Sequence, residues 1–495
     1  MSKFKKYEIG EEISVQINLS TYLPSDHICK EMEKIVSELD IRFLEDTYSE
    51  EGQNAYHPQM LLSIIFYGYA TGIRSGRKLE KACKEDLAFL YLSKGYRPSK
   101  SVINDFRKVH FQHFTNLFAQ VLQKCMEAGL ADPSLSIVDG SKLQANSSKR
   151  ASKTKKQYEK WQEYLLADIA SLEKEQSSAQ EQEGLEVAKK LQAKKDLVEK
   201  VEKAIEQLSP LAEKARLNLT DTDSVIMKGK KGDFDTNYNV QAACGEDQII
   251  TYSDVVVDGN DRAQLIPALK GIAQNTGKPI KQALADADYG TYDSLEYMDQ
   301  NDIEGYVPYR NMNATYEETY ASGNFIYNKE KDTYQCPQKQ DLVFYRTSTD
   351  NQNNLNYKNY RTDACLTCPF QKKCCKKKGT ARRVIKREVR QGLKDKMKEK
   401  LNSVEGKAIY KKRLHPIEAF FGQLKYNLGY QRFLMRGLEK VKAEFTLMCL
   451  THNLRKLVIC FVIFPVIWTV LWHFLTLNLK KISFPDLSMN FFRIH

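Results

Sequence analysis

The chain has 495 residues, 42 % of them hydrophobic and 28 % charged. That is too long for one simple core and too apolar for a disordered chain, so two or three domains are expected. With 75 Lys and Arg against 63 Asp and Glu the formal charge is +12, an excess that suits a nucleic-acid partner.

The N-terminus, "MSKFKKYEIGEEISVQINLS", has no apolar signal core, so secretion is not expected and a cytoplasmic location is. The eleven cysteines are then expected as reduced thiols or metal ligands. Cys29, Cys83, Cys125, Cys244 and Cys449 are scattered and read as core fillers. Residues 57–130 carry apolar positions at helical spacing, beginning with Pro58, and predict a helical domain over 1–130. Its Arg74, Arg77, Lys78, Arg97, Lys100, Arg107 and Lys108 read either as a solvated face or as DNA contacts.

At 135 the period changes. "LSIVDGSKLQA" predicts a strand bearing Asp139. Residues 151–208 are rich in Lys, Glu, Gln, Ala and Leu, and predict a charged helical hairpin inserted into the body. "TNYNVQAACG" and "QIITYSDVVV" read as neighbouring strands, "AQLIPALKGIAQNTG" as a helix, "KQALADADYG" as a strand ending in Asp286, "SLEYMDQND" as a helix and "IEGYVPYR" as a strand. A polar, cysteine-bearing insert is expected over 321–380 and helices over 385–457. Residues 371–400 hold fourteen Lys or Arg and only three acids, Glu388, Asp395 and Glu399.

Asp139 and Asp286 are each expected near the C-terminal end of a central strand, where open α/β sheets place ligands. Glu418 follows on a later helix, "YKKRLHPIEAFFGQLK", inside a basic fence. Three converging carboxylates repel one another unless a divalent ion neutralises them, and hard oxygen donors favour Mg²⁺ or Mn²⁺. Two such ions about 4 Å apart would serve an in-line phosphoryl transfer. Each acid also has a plain reading: a turn residue before Gly140, a helix cap, an ion-paired helix face.

The segments "IVDGSKLQANSSKRAS", "TDTDSVIMKGKKGDFDTNYNVQAACG", "NDRAQLIPAL", "ALADADYGTYDSLEYM" and "YKKRLHPIEAFFGQLKYNLGYQRFLMRGLEKVKAEFTLMCLTHNLRKL" together resemble a bacterial insertion-sequence transposase. The resemblance is to the DDE branch with a Tyr-Arg-Glu-Lys signature, here Tyr410, Arg413, Glu418 and Lys425, and it runs from about residue 55 to 457. It implies a ribonuclease-H-like mixed sheet with flanking helices over 131–457, with Asp139, Asp286 and Glu418 as catalytic metal ligands. It also implies that Tyr410, Arg413 and Lys425 handle DNA phosphates. The expected partners are element ends and target DNA, with the chain acting as a homodimer. Two features depart from the pattern: Asp288 stands where glycine is usual, and the Arg413–Glu418 spacing is one residue longer than common. A catalytically inactive DNA-binding remnant, or a nuclease without strand transfer, are the alternative readings.

Cys336, Cys365, Cys368 and Cys374 or Cys375 form a CxxC-containing set that could hold a structural Zn²⁺. The tail 458–495 differs in composition from everything before it. Residues 457–479 carry no charge apart from His473. By length they fit a membrane anchor, a buried helix, or an appended segment from a frameshift or read-through. A membrane role is not expected of a DNA-acting chain, and 458–495 are expected to be dispensable for the core.

Overall fold

The computed structural model describes residues 18–49, 54–178, 181–229, 232–312, 317–352, 355–376 and 380–479. Side chains of 461–479 are not described, and neither are those of 178, 181 and 182.

The N-terminal third is helical. Its main helices are Ile28–Ser37, Pro58–Ala70, Gly76–Glu85, Leu87–Leu92, Lys100–Val109 and Phe114–Glu127. Local chemistry sets their ends. "RKLEKACKEDLAFLYLS" reads as one run, but Asp86 adopts an extended backbone and accepts from the amides of Ala88 and Phe89. It therefore caps a new helix and splits the run in two.

The central sheet contains the acids. Strand Leu135–Gln144 pairs antiparallel with Phe234–Cys244, with Asp139 opposite Ala242. Val225–Lys228 and Ile250–Val256 both pair with Phe234–Cys244. On the other side Leu135–Gln144 runs parallel to Gln282–Leu284, which runs parallel to Glu304–Tyr306. The result is a mixed α/β core. Helix Leu265–Thr276 packs on it and ends at Gly277, whose φ of 63° supplies the left-handed C-cap.

Two modules interrupt this sheet. Helices Lys155–Ser178 and Glu181–Leu208 pack antiparallel around their own small core of Tyr158, Leu165, Leu191 and Val201. The short strands Ser152–Thr154 and Arg216–Asn218 close their base. The second module is a five-stranded antiparallel sheet: Ile385–Glu388, Leu355–Arg361, Asp341–Asp350, Thr333–Gln335 and Ile326–Asn328, in spatial order. The expectation of helix from residue 385 is corrected here. Ile385–Glu388 is the edge strand of this sheet, held by a ladder to Tyr357–Tyr360, and helix begins at Gln391.

The C-terminal helix Leu438–Leu479 joins the halves. It packs on Phe114–Glu127, Ile28–Ser37 and Pro58–Ala70 on one side and on strand Ile250–Val256 on the other. Asn453 makes the join specific: its side chain donates to the Ile250 carbonyl and accepts from the Ile250 amide, both at 2.8 Å. It thus satisfies a strand edge that would otherwise be open. One hydrophobic core therefore runs unbroken from Leu23 to Val458, and the change of period near 130 is not a break in packing. The five scattered cysteines all lie buried in it. Leu454, Leu457 and Val458 are fully buried. Among the described residues no helix is long and apolar enough to cross a membrane. The tail from 480 onward lies outside the described residues.

Two of the cations that read either as a solvated face or as DNA contacts are structural instead. Arg107 is buried and donates to the Arg74 carbonyl, the Tyr69 hydroxyl and Asn104. Arg74 pairs at 3.0 Å with Glu444, which is fully buried and also accepts from the amides of Leu434 and Met435. Burial pushes the Glu444 carboxyl up, and Arg74 opposes the shift. Removing one partner of a buried ion pair leaves the other charge uncompensated. Arg74→Ala is expected to cost about 3–5 kcal/mol in urea unfolding, and adding Glu444→Gln should recover part of it. A loss below about 1 kcal/mol, the scale of a surface pair, would show that this contact does not hold the helical layer to the C-terminal helix.

Candidate active site

The register of the central strands brings the first two acids level. The last parallel pair is Ile137 with Leu284. Asp139 and Asp286 each stand two residues beyond it. Both acids are expected from sequence near strand ends. For Asp139 this is corrected: its strand continues to Gln144, and only the parallel neighbour has ended. The notch left by that neighbour is where the acids sit.

Both acids, with Glu418, line one cavity of about 560 Å³. Helix Leu414–Gly422 supplies Glu418. It buries Ile417, Phe420 and Phe421, and turns Glu418 outward toward the cavity. Among the described residues Glu418 makes no ion pair, so the reading of it as an ion-paired helix face finds no partner. The segment 410–425 is not one continuous helix. Tyr410 lies at the end of the helix Val404–Lys411, and a new helix starts after Arg413 because Pro416 has no amide to donate back to Lys412. Lys425 lies in a π-helical turn, Gln423–Asn427.

These breaks place the basic residues. Arg413, at the start of its helix, reaches between the acids. Its Nη2 is 3.6 Å from Asp139 Oδ1 and 3.9 Å from Asp286 Oδ2. Its Nε is buried and has no hydrogen-bond partner among the described residues. Lys425 donates to Ser141 Oγ at 2.6 Å and to the Lys142 carbonyl at 2.7 Å, pinning the strand just past Asp139. Tyr410 is half-buried behind the site, and burial raises its phenol. Burial also raises the Asp286 carboxyl, against the opposing pull of the Asp288 amide and Arg413.

Asp288, the residue that departs from the family pattern, does not line this cavity. Its Oδ1 accepts from Arg310 Nε at 2.7 Å, and it borders a neighbouring cavity with Arg262, Arg390 and Lys394. Arg310 holds its carboxyl below the usual range. A fourth acid, Asp261, has no role readable from sequence yet lines the site. It accepts from Asn239 at 2.6 Å and Gln241 at 2.7 Å, and Gln241 accepts in turn from the buried Tyr289 hydroxyl at 2.5 Å. Its only sequence signal is its place in "NDRAQLIPAL", where an acid before a helix reads as a cap.

The donor set is all carboxylate and suits a hard divalent cation. The notch already draws a positive charge, the Arg413 guanidinium. As folded, the groups stand apart: among the described residues no three His, Cys, Asp or Glu side chains are arranged to hold a metal ion. This includes the cysteine set. Cys374 and Cys336 flank the small core of the second sheet. Burial, then the neighbouring Cys375, Cys365 and Cys336, push the Cys374 thiol up to about 11.

The strand carrying Asp139 has no spare room. A Cβ at Gly140 would lie 2.5 Å from Gln241 Nε2 and 2.8 Å from Asp261 Oδ1. Gly140→Ala is therefore expected to destabilise the protein by about 1–3 kcal/mol, as overpacking does, measured by urea unfolding. A neutral effect would mean that the Gln241–Asp261 contact is loose.

The geometry can be set beside known proteins. A transposase DDE domain matches residues 335–458, which contain Glu418 but neither Asp139 nor Asp286. A transposase domain (DUF772) matches residues 17–109, the helical N-terminal part. No curated protein and no solved structure matches the chain. Two transposase-domain matches thus fall in order on one chain, the second of them ending at residue 458. Over residues 17–109 and 335–458 the chain is similar to transposases, the second match being to a transposase DDE domain.

Proposed function

We propose that this chain is a transposase that cuts DNA at the ends of an insertion sequence and joins them to target DNA, in a reaction that needs Mg²⁺ or Mn²⁺. The observation that carries the reading is the level placement of Asp139 and Asp286 in one notch, with Glu418 on the wall of the same cavity. The sheet order supports a ribonuclease-H-like core. Three antiparallel strands, Ile250–Val256, Phe234–Cys244 and Leu135–Gln144, are followed by two strands parallel to the last of them.

Asp139, Asp286 and Glu418 are the residues that would hold the metal. When bound, such ions activate a water or a 3′-OH and stabilise the leaving oxygen. The chain's own groups do the rest. Arg413 neutralises the two strand acids in the absence of substrate, and we read its guanidinium as the group that turns to a phosphate oxygen when substrate binds. Lys425 fixes the strand segment after Asp139 and stands beside the DNA path. Tyr410 lies close enough to feel the Arg413 charge and is read as its partner in handling a phosphate. Two element ends call for two sites, so a homodimer on DNA is the proposed assembly.

Asp139→Asn, Asp286→Asn and Glu418→Gln keep shape and remove charge. Each is expected to cut cleavage of end-containing DNA by on the order of 10²–10³-fold or more, with binding changed little, and EDTA should abolish cleavage in the unaltered protein. Robust cleavage by Glu418→Gln, or activity in EDTA, refutes the assignment. Cleavage without joining marks a nuclease, and binding without cleavage marks a remnant.

We also read the cysteine insert as a structural zinc module. The support is the CxxC spacing of Cys365 and Cys368, with Cys336 and Cys374 or Cys375 in the same insert. Protein made in zinc-replete medium is expected to contain about one zinc per chain. Elemental analysis finding none would leave reduced thiols as the answer.

A further inference from the structure

The largest concentration of positive charge in the sequence is the run 371–400, but in the fold much of it is paired. Arg382 pairs with Asp363 at 2.6 Å and Arg387 with Asp395 at 2.6 Å. Arg390 is shared among Asp293, Glu296 and Glu388. Charge without acidic partners lies elsewhere. Where strand Leu135–Gln144 ends, at the base of the helical hairpin, a cavity of about 830 Å³ is lined by Lys149, Arg150, Lys153, Arg216, Arg432 and Arg436. Among the described residues none of these six is in an ion pair. The one carboxylate there, Asp235, accepts from Gln144 at 2.5 Å and from the Thr236 amide.

The groove is built rather than incidental. Arg432 Nε donates to Gln144 Oε1 at 3.1 Å, and Arg436 Nε to the Asn146 carbonyl at 2.9 Å. The Gln144–Arg432 backbone bridge fixes the wall between them. Through Asn146 and Arg436 it continues into a second cavity, which adds the exposed Arg77, Lys108 and Lys440. Three parts of the chain, distant in sequence, thus offer cations along one path.

The geometry points to this groove as the seat of the phosphate backbone of duplex DNA flanking the cleavage site. The inference rests on the reading of the chain as a DNA strand-transfer enzyme and names where that substrate lies. A row of mostly exposed Arg and Lys, the six at the hairpin base outside any ion pair among the described residues and one acid beside them internally satisfied, suits a polyanion. The same strand carries Asp139 and, five residues on, Gln144 at the groove wall. At roughly 3.4 Å per residue the two are about 17 Å apart along the strand, near half a helical turn of DNA. A duplex held in the groove would therefore reach the notch.

Lys149 and Arg150 are exposed at the rim and are the pair to change. Binding of the full chain to a labelled duplex about three helical turns long is followed by anisotropy across a salt series. Lys149→Glu with Arg150→Glu is expected to weaken binding on the order of tenfold. Its salt dependence should also become shallower by about 0.9 for each phosphate no longer neutralised. Lys149→Gln with Arg150→Gln, a milder pair for the case in which charge reversal unfolds the protein, should move both quantities in the same direction. Thermal melting checks that either pair is folded. Affinity and slope unchanged in a folded pair overturn the groove while leaving the strand-transfer reading intact. Absence of duplex binding by the unaltered protein removes both. Preference for RNA of the same length overturns DNA as the occupant.

Discussion

Two carboxylates side by side in a half-buried notch cannot both stay charged without a cation between them. In this chain that constraint is met by Arg413, and the architecture around the site follows from delivering it. The guanidinium is fixed because its helix buries Ile417, Phe420 and Phe421. Phe420 packs in turn against His452 of the long C-terminal helix, ring centroids 4.9 Å apart. That helix is held to the sheet by Asn453 and to the N-terminal layer by Glu444. The order of dependence runs from the outer helices inward to one charge at the centre.

The same logic separates useful charge from structural charge. Arg74, Arg107, Arg387 and Arg390 all have carboxylate, carbonyl or hydroxyl partners that fix them in place. A guanidinium with its donors satisfied costs free energy to turn toward a phosphate, because those contacts must break first. Cations at the hairpin base have no ion pair to break. Net charge therefore says that a polyanion is a fitting partner, while the pairing pattern says where it can lie.

Much of the fold is legible in the sequence because it is local. The helices after Pro58 and the alternating strands around Asp139 and Asp286 show their periods directly, and Gly277 announces its helix end. What is hidden depends on distant partners. That Arg74 is a buried strut depends on Glu444, 370 positions away. Ile385–Glu388 is a strand only because Tyr357–Tyr360 offers it a ladder. Asp261 becomes part of the site only through Asn239 and Gln241 on another strand. The break before Leu414 is different: Pro416 carries that signal within the segment, which otherwise reads as one helix. Asp139, Asp286 and Glu418 can be singled out by residue type and by resemblance, whereas their common cavity is a product of register.

The hairpin at residues 155–208 also bears on how quickly the chain can fold. The central strand must find Phe234–Cys244 across roughly ninety intervening residues, a slow search if that stretch is random. The hairpin is made of local contacts and has its own core. Once the short strands at 152–154 and 216–218 have closed, the spacer left to search is only about twenty residues. On loop-closure entropy this saves roughly 1.3 kcal/mol, or about tenfold in the rate of forming the sheet that holds Asp139. An insertion that looks like an appendage would then act as a staple, set early, that brings the two strands into each other's reach.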